Sequence, residues 1–385
     1  MASKLNDICS YAKGKTAVAG LTAQNYISTE NMLPNKGGIT TATNLPAVDQ
    51  TQAYRKNDVL VSNIRPYFKK IWHAEYDGGC SNDVLVFRAA EGVDPIFLYY
   101  VLADDTFFNY ATATSKGTKM PRGDKSAIME YGVPALDIEV QRKIGALLRS
   151  IDQKIAINSK INDNLSAQIE AFLLAYLDSK GALSVKLGDY LYIKGRIGWK
   201  GLKKSEYLSQ SEYRIINGET LTQSGIDWNK AGYISEERYV ESPEIMLKVG
   251  DILLSKDGTI GKIGYVDSLE LPTSVASGIF VIRNTKPNII STTFIYYLLK
   301  SRLFTSFIAA RTEGSVIPHL YQKDFMEFEF PLPTAEKMAE FEEVTEPMFS
   351  QIVNNLNENK RLTILRDSLL PKLMSGELDV SNIDI

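Results

Sequence analysis

Several stretches of this chain carry residue types that could do chemistry at the right spacing. Gly14-Lys15-Thr16 has the end of a phosphate-binding loop, but such a loop needs a further glycine where Cys9 stands, so the match fails. Asp152-Gln153-Lys154 and Glu358-Asn359-Lys360 fit the acidic-x-Lys tripeptide of a carboxylate–lysine nuclease. Both fall in helical patterns, where charges at that spacing are those of a solvated face. Asp94-Pro95-Ile96-Phe97 departs at its third residue from the motif of an amino-methyltransferase, and no GxSxG elbow occurs. Two cysteines, Cys9 and Cys80, and two histidines, His73 and His319, offer neither CxxC nor HxxxH spacing, so neither a zinc site nor a disulfide framework is expected. The residues describe a binding protein, with no metal or cofactor of its own.

What remains is cationic and aromatic. Tyr54, Arg55, Lys56, Arg65, Tyr67, Lys69, Lys70 and Trp72 form one cluster, with Lys36 upstream. Lys116, Lys119, Arg122 and Lys125 surround the turn from Gly117 to Pro121. Lys194, Arg196, Trp199, Lys200, Lys203 and Lys204 form a third, followed by Lys256, Lys262 and Arg311 near glycines. Loops of this composition suit phosphate contact, with a few side chains reaching base edges. The candidate DNA contacts are Lys36, Arg65, Lys69, Lys70, Lys119, Arg122, Lys200, Lys203, Lys204, Lys256, Lys262 and Arg311.

These residues need a scaffold, and a repeat supplies it. Phe97-Leu98-Tyr99-Tyr100-Val101-Leu102 recurs 197 residues later as Phe294-Ile295-Tyr296-Tyr297-Leu298-Leu299. The same offset joins Gly117 to Gly314, Pro121 to Pro318, Pro134 to Pro331 and Asn158 to Asn355. Upstream, Asp58-Val59-Leu60-Val61-Ser62 matches Asp251-Ile252-Leu253-Leu254-Ser255 at 193, and Lys4-Leu5-Asn6-Asp7 matches Lys186-Leu187-Gly188-Asp189 at 182. The chain is therefore two copies of one unit, with approximate two-fold symmetry expected.

Within each copy, residues 1–133 and 183–330 read as short strands and turns, with helices at 95–110 and 292–309. Residues 138–178 and 335–375 each read as one long helix, with Pro347 a candidate kink in the second. The long helices carry a heptad seam: Ile144, Leu148, Ile151, Ile155, Asn158, Asn162 and Leu165 in one, and Phe341, Met348, Ile352, Asn355, Asn359, Leu362 and Leu369 in the other. Two such helices in one chain are expected to pair with each other as an antiparallel coiled coil. The expected fold is α+β: two tandem α/β domains at 1–133 and 183–330, with helical regions at 134–182 and 331–385.

The whole chain of 385 residues has a net charge of −3. The acidity sits at the end: residues 331–385 carry −5, while 1–133 and 183–330 carry +1 each. A near-neutral domain can still present a local basic patch. No run approaches the roughly 18 apolar residues of a membrane helix, and the first residues lack a secretory apolar core, so a cytoplasmic location is expected.

Val133-Pro134, Glu139-Val140-Gln141-Arg142-Lys143-Ile144, Leu147 to Ile155 and Asn158 to Leu165 together resemble the central conserved region of type I restriction–modification specificity subunits. Leu369-Leu370-Pro371-Lys372-Leu373-Met374-Ser375-Gly376-Glu377-Leu378 resembles the end of their second conserved region. Asn25 to Met32 and Gly37-Gly38-Ile39 resemble the opening of one class of target recognition domain. The second helix departs from the pattern: Lys337-Met338-Ala339-Glu340 stands where the Glu-Gln-Arg signature is usual. The resemblance implies a non-catalytic subunit that binds double-stranded DNA, each domain reading one half of a bipartite target. It implies two methyltransferase subunits docked on the helices, which fix the spacer, and motor–nuclease subunits joining the complex. S-adenosylmethionine, ATP and Mg2+ would then sit on those partners. Two other readings stand beside it: a self-contained nuclease or methyltransferase, and a purely structural helical adaptor.

Overall fold

The computed structural model describes residues 3–178, 180–197, 201–222, 225–312 and 319–380. The chain divides into two compact units. The first runs up to Asn158 and resumes from Glu358; the second is Ser159–Asn357. Each unit therefore holds one of the two strand-rich domains and one half of each long helix.

In the first unit, β1 (Cys9–Tyr11), β5 (Val59–Ser62), β6 (Ile71–His73) and β8 (Val84–Ala89) form an antiparallel sheet in the order β1-β8-β5-β6. The register sets Val59 opposite both Phe87 and His73. A second sheet has the order β2-β4-β7-β3, from β2 (Lys15–Ala17), β3 (Tyr26–Ile27), β4 (Gln50–Tyr54) and β7 (Gly78–Cys80). The second unit repeats the first sheet with β9 (Leu191–Gly195), β12 (Ile252–Ser255), β13 (Ile263–Tyr265) and β15 (Ile279–Asn284), ordered β9-β15-β12-β13. Its other sheet is smaller: β11 (Gly232–Ile234), β10 (Tyr213–Ile216) and β14 (Thr273–Val275), in that order.

Both copies lock the first sheet with the same ion pair. Arg88 grips Asp58 through Nε and a terminal nitrogen, both at 2.7 Å. Arg283 grips Asp251 in the same fork, both at 2.6 Å. Each aspartate side chain is almost fully buried, so the two parallel hydrogen bonds offset its desolvation. The pairing also holds both arginines above their usual pKa, mainly through the hydrogen bonds to the carboxylate.

The helices expected at 95–110 and 292–309 are each two helices. α1 (Pro95–Ala103) ends at Asp104, whose carboxylate caps α2 (Asp105–Ala113) by accepting from the Thr106 N–H at 2.7 Å. α4 (Thr292–Lys300) likewise gives way at Ser301 to α5 (Arg302–Thr312). The apolar periodicity runs across both breaks, which is why it concealed them.

The long helices are α3 (Ile138–Leu177) and α6 (Ala335–Met374). α6 runs on through Pro347, which is exposed and has no N–H to donate back along the helix, so the proline does not end it. In the first unit, Ile144, Leu148 and Phe97 join Val59 and Phe87 in one core. In the second, Ile169, Phe341 and Phe294 join Ile252 and Ile282. The antiparallel pairing is visible inside each unit. Asn158 donates to Asn359 at 2.9 Å in the first; Asn355 donates to Asn162 at 2.8 Å in the second. The seam thus satisfies its polar residues with each other, which fixes register where a buried amide would otherwise cost stability.

Candidate nucleic-acid interface

In the first unit the basic residues gather on two neighbouring loops. One runs from Ile64 to Lys70 and is built on strained backbone: Arg65 (φ 50°) and Lys69 (φ 52°) bracket a single turn, Pro66–Phe68. Asn35 (φ 55°) and Lys36 (φ 61°) lie against it, their N–H groups donating to Phe68 O and Lys69 O, both at 2.8 Å. A non-glycine residue in the left-handed region costs about 1–2 kcal/mol, so these tertiary bonds are what hold the loop. Beside it, Lys116 and Arg122 pair across a hairpin with two 2.9 Å bonds, and the Arg65 N–H donates to Pro121 O. The hairpin tip exposes Lys119 and Met120; the adjoining loop exposes Tyr67 and Phe68, their rings 4.8 Å apart.

The expected cations on this surface are not equivalent. Lys36 and Lys69 both pair with Asp105 of α2, at 2.9 and 2.8 Å, tying the loop to the helix. Burial alone would raise the Asp105 carboxyl, but the hydrogen bonds from Lys69 and Lys36 outweigh it and hold it below its usual value. Lys70 donates to Thr29 O at 2.6 Å, and burial lowers its pKa. Arg122 pairs with Asp83 at 3.0 Å. Lys119 has no ion-pair partner among the described residues and is exposed.

In the second unit, Lys203 and Lys204 are exposed beside a short turn. Lys200 lies outside the described residues. The Lys256 ammonium sits 5.2 Å over the Phe280 ring, and Lys262 donates to Gly218 O at 3.1 Å. Arg311 pairs with Asp324 at 3.4 Å and lies over the Phe307 ring. The copies correspond in detail here. Arg122 bridges to Ile64, and His319, 197 positions after Arg122, bridges to Asp257, 193 after Ile64. Each of these bridging residues turns its side chain onto an aspartate: Arg122 onto Asp83, His319 onto Asp257.

The catalytic decoys are spent on structure. Asp152 accepts from Tyr100 and pairs with Arg366, and Lys154 pairs with Glu358 at 3.2 Å. Burial pushes the thiols of Cys9 and Cys80 up to about 12, where a thiolate nucleophile is scarce. Among the described residues no group of three His, Cys, Asp or Glu could hold a metal ion, and no helix is long and apolar enough to cross a membrane. Lys13 and Lys15 are exposed on either side of Gly14; sequence reasoning took Lys15 only as part of a failed phosphate loop and did not single out Lys13.

Comparison with known proteins gives the same outline. The chain is 24% identical over 313 residues to the type I restriction enzyme MjaIX specificity subunit of Methanocaldococcus jannaschii, spanning 76% of this chain and 71% of that one. It is 23% identical over 317 residues to the MjaVIII specificity subunit of the same organism, spanning 76% and 72%. A crystal structure of the type I restriction-modification system S subunit from M. genitalium shares the fold, with a TM-score of 0.59 at 20% identity over 99% of this chain and 96% of that one. The type I restriction modification DNA specificity domain matches twice, at residues 1–167 and 183–364, once on each copy of the repeat. With both copies matched, this chain belongs to the family of type I restriction modification DNA specificity proteins.

Proposed function

We propose that this chain is the DNA specificity subunit of a type I restriction–modification complex, with each recognition domain reading one half of a bipartite target. The observation that carries the reading is the duplication. Two copies share one sheet and one ion-pair lock, yet differ in their second sheet and in their surface loops. Two related but unequal readers suit two unequal half-sites in a way that two identical copies would not. The paired helices α3 and α6 act as spacer and as docking surface for two methyltransferase subunits. A helix of 40 residues is about 60 Å long, enough to span more than one turn of duplex DNA. The chain itself carries no catalysis. S-adenosylmethionine belongs to the methyltransferase partners, and ATP and Mg2+ to the motor–nuclease subunits. The complex works in the cytoplasm, where its DNA is.

The test is to map methylated adenines in DNA from cells carrying this chain with its methyltransferase partner. The expected result is one asymmetric motif, two short defined sequences separated by a fixed non-specific gap. Methylation without any bipartite motif, or none attributable to this chain, overturns the reading.

A further inference from the structure

The two recognition domains differ most at one edge. In the second unit, β14 is the edge strand of its sheet among the described residues. Arg196, only 2% exposed, lies along it: Nε donates to Val275 O at 3.1 Å, and the terminal nitrogens reach Ser274 Oγ at 3.3 Å and Ser242 Oγ at 3.5 Å. This arginine plugs the edge. In the first unit the matching strand, β7, is instead paired with β4, with Gln52 opposite Cys80, and β2 lies beyond β4. The residue in Arg196's place in the repeat is Gly14, with φ +121° and nothing within 4 Å of where a Cβ would stand. Where the second unit has a plug, the first has a cleft of about 430 Å³, floored by Val84, Leu85 and Val86.

The cleft walls are cationic and amide-rich. Lys13, Lys15 and Lys125 line it, with Gln50, Gln52 and Asn82. None of the three ammonium groups has an ion-pair or hydrogen-bond partner among the described residues, in contrast to Lys36, Lys69, Lys70 and Arg122. Gln50 and Gln52 alternate along β4, so both side chains leave the same face of the strand. The residue between them, Thr51, is buried and donates its hydroxyl to Cys80 O at 2.5 Å, which fixes the strand's facing. A carboxamide can present a donor and an acceptor together to the N6 and N7 edge of adenine, and an ammonium neutralises a phosphate.

We propose that this cleft is where the first recognition domain reads its half of the target. Lys13, Lys15 and Lys125 contact backbone phosphates, and Gln50, Gln52 and Asn82 contact base edges. The inference rests on the specificity-subunit reading above and names the residues that carry it. It also implies that the second domain, plugged by Arg196, reads its half-site with other residues.

The experiment uses the full chain assembled with its methyltransferase partner. In cells, the combined variant Gln50→Ala, Gln52→Ala, Asn82→Ala should relax the first half of the methylated motif by about tenfold or more in base preference, leaving the second half intact. The single variant Gln52→Glu, which keeps the side chain's size but removes its donor, should shift the preferred base in the first half. With the purified assembly, Lys13→Ala, Lys15→Ala, Lys125→Ala should weaken binding to every duplex and lower the log–log salt slope by up to about three. An unchanged motif in both amide variants, from complexes that assemble and melt as wild type, overturns the inference alone. So does relaxation confined to the second half-motif. If the wild-type complex gives no bipartite motif, the specificity reading falls and this inference with it.

Discussion

Each unit has a junction where its recognition domain meets the long helices, and corresponding positions there carry opposite chemistry. In the first unit, the buried Tyr100 donates its hydroxyl to Asp152 at 2.6 Å, and Arg366 pairs with the same carboxylate at 2.7 Å. His73 and Tyr99 stack edge-on beside them. In the second unit the residues 197 positions on from Tyr100 and Asp152 are Tyr297 and Phe349, and Arg366 corresponds to Ile169. Tyr265 takes the place of His73, each standing opposite the first residue of the central strand. Phe349 packs against Tyr265, Tyr296 and Tyr297 at centroid distances of 4.9, 5.4 and 6.1 Å, and Ile169 is fully buried. One fold thus closes the same joint with a charge network in one copy and an aromatic cluster in the other. Burial alone would lower the Arg366 pKa, but its hydrogen bond to Asp152 and the charges of Asp152 and Asp367 prevail and raise it. The comparison teaches that the duplicated scaffold specifies a shape to be filled, and leaves open whether polar or apolar groups fill it.

The largest effects should come from crossing the two solutions halfway. Phe349→Asp places an unpaired carboxylate among three tyrosines, and should cost the second unit about 3–5 kcal/mol. Adding Ile169→Arg, which supplies the first unit's partner, should recover part of that loss. In the first unit, Arg366→Leu strands Asp152; both side chains are about a fifth exposed, so the cost is smaller, about 2 kcal/mol. The double change Asp152→Phe, Arg366→Ile should fare better than the single one, although the Tyr100 hydroxyl loses its acceptor. Amide hydrogen exchange, read separately over each unit, measures these local stabilities. Full additivity, with neither second substitution rescuing the first, would show that the two joints are not alternative fillings of one shape.

A smaller effect follows from His73. Neither ring nitrogen has a hydrogen-bond partner among the described residues, and the residue is 8% exposed. Burial, then the nearby Arg149, lowers its pKa below the ordinary 6.5, against the opposing pull of Glu75, Asp94 and Asp58. With the folded value depressed, the unfolded chain takes up the proton first. The first unit should therefore keep its full stability above about pH 6.5 and lose it as the pH falls below, by at most about 1.4 kcal/mol per pH unit. His73→Tyr, the second unit's solution, should flatten that acid limb. An identical pH profile in wild type and variant would remove His73 from the account.

The sequence made the scaffold legible because one offset carried whole patterns. The Phe-Leu-Tyr-Tyr helix, the Pro entry at Pro134 and Pro331, and the Asn158–Asn359 and Asn162–Asn355 contacts all follow from duplication and heptad spacing. The junction's polarity was in the same alignment, yet Asp152 read as part of a solvated helix face, with nothing to point it at Arg366. Only the packing shows that they meet. The site was less legible still. Lys36 and Lys69 look like free cations until Asp105, 36 residues beyond Lys69, is folded onto them. The cleft was invisible because it depends on which strand pairs with β7, and short strands between long loops do not announce their partners. The stretch from Arg196 to Asp251 is also longer than that from Gly14 to Asp58, so the repeat loses its register where the two copies differ most.

The smallest effect concerns a turn that the two copies solve with different residues. Asn57, at φ 74°, and Gly250, at φ 93°, precede the aspartates of the two ion-pair locks. Their surroundings match bond for bond. The Asn57 N–H donates to Ala74 O at 2.8 Å and the Gly250 N–H to Val266 O at 2.9 Å. Asp58 Oδ2 accepts from the Arg55 N–H at 2.8 Å, and Asp251 Oδ2 from the Lys248 N–H at 2.7 Å. A Cβ on Gly250 would meet nothing nearer than the Tyr265 hydroxyl at 4.0 Å, so space is not what selects glycine there. The left-handed backbone is. Glycine adopts it without strain, asparagine tolerates it, and alanine does not. Gly250→Ala and Asn57→Ala should therefore each cost about 1 kcal/mol, while Gly250→Asn and Asn57→Gly should stay within about 0.5 kcal/mol of wild type. Hydrogen exchange at Asp251 and Asp58 reads both turns in one experiment. If alanine is tolerated at Asn57 but not at Gly250, the equivalence of the two locks ends at the aspartates, and the turns feeding them are separate solutions.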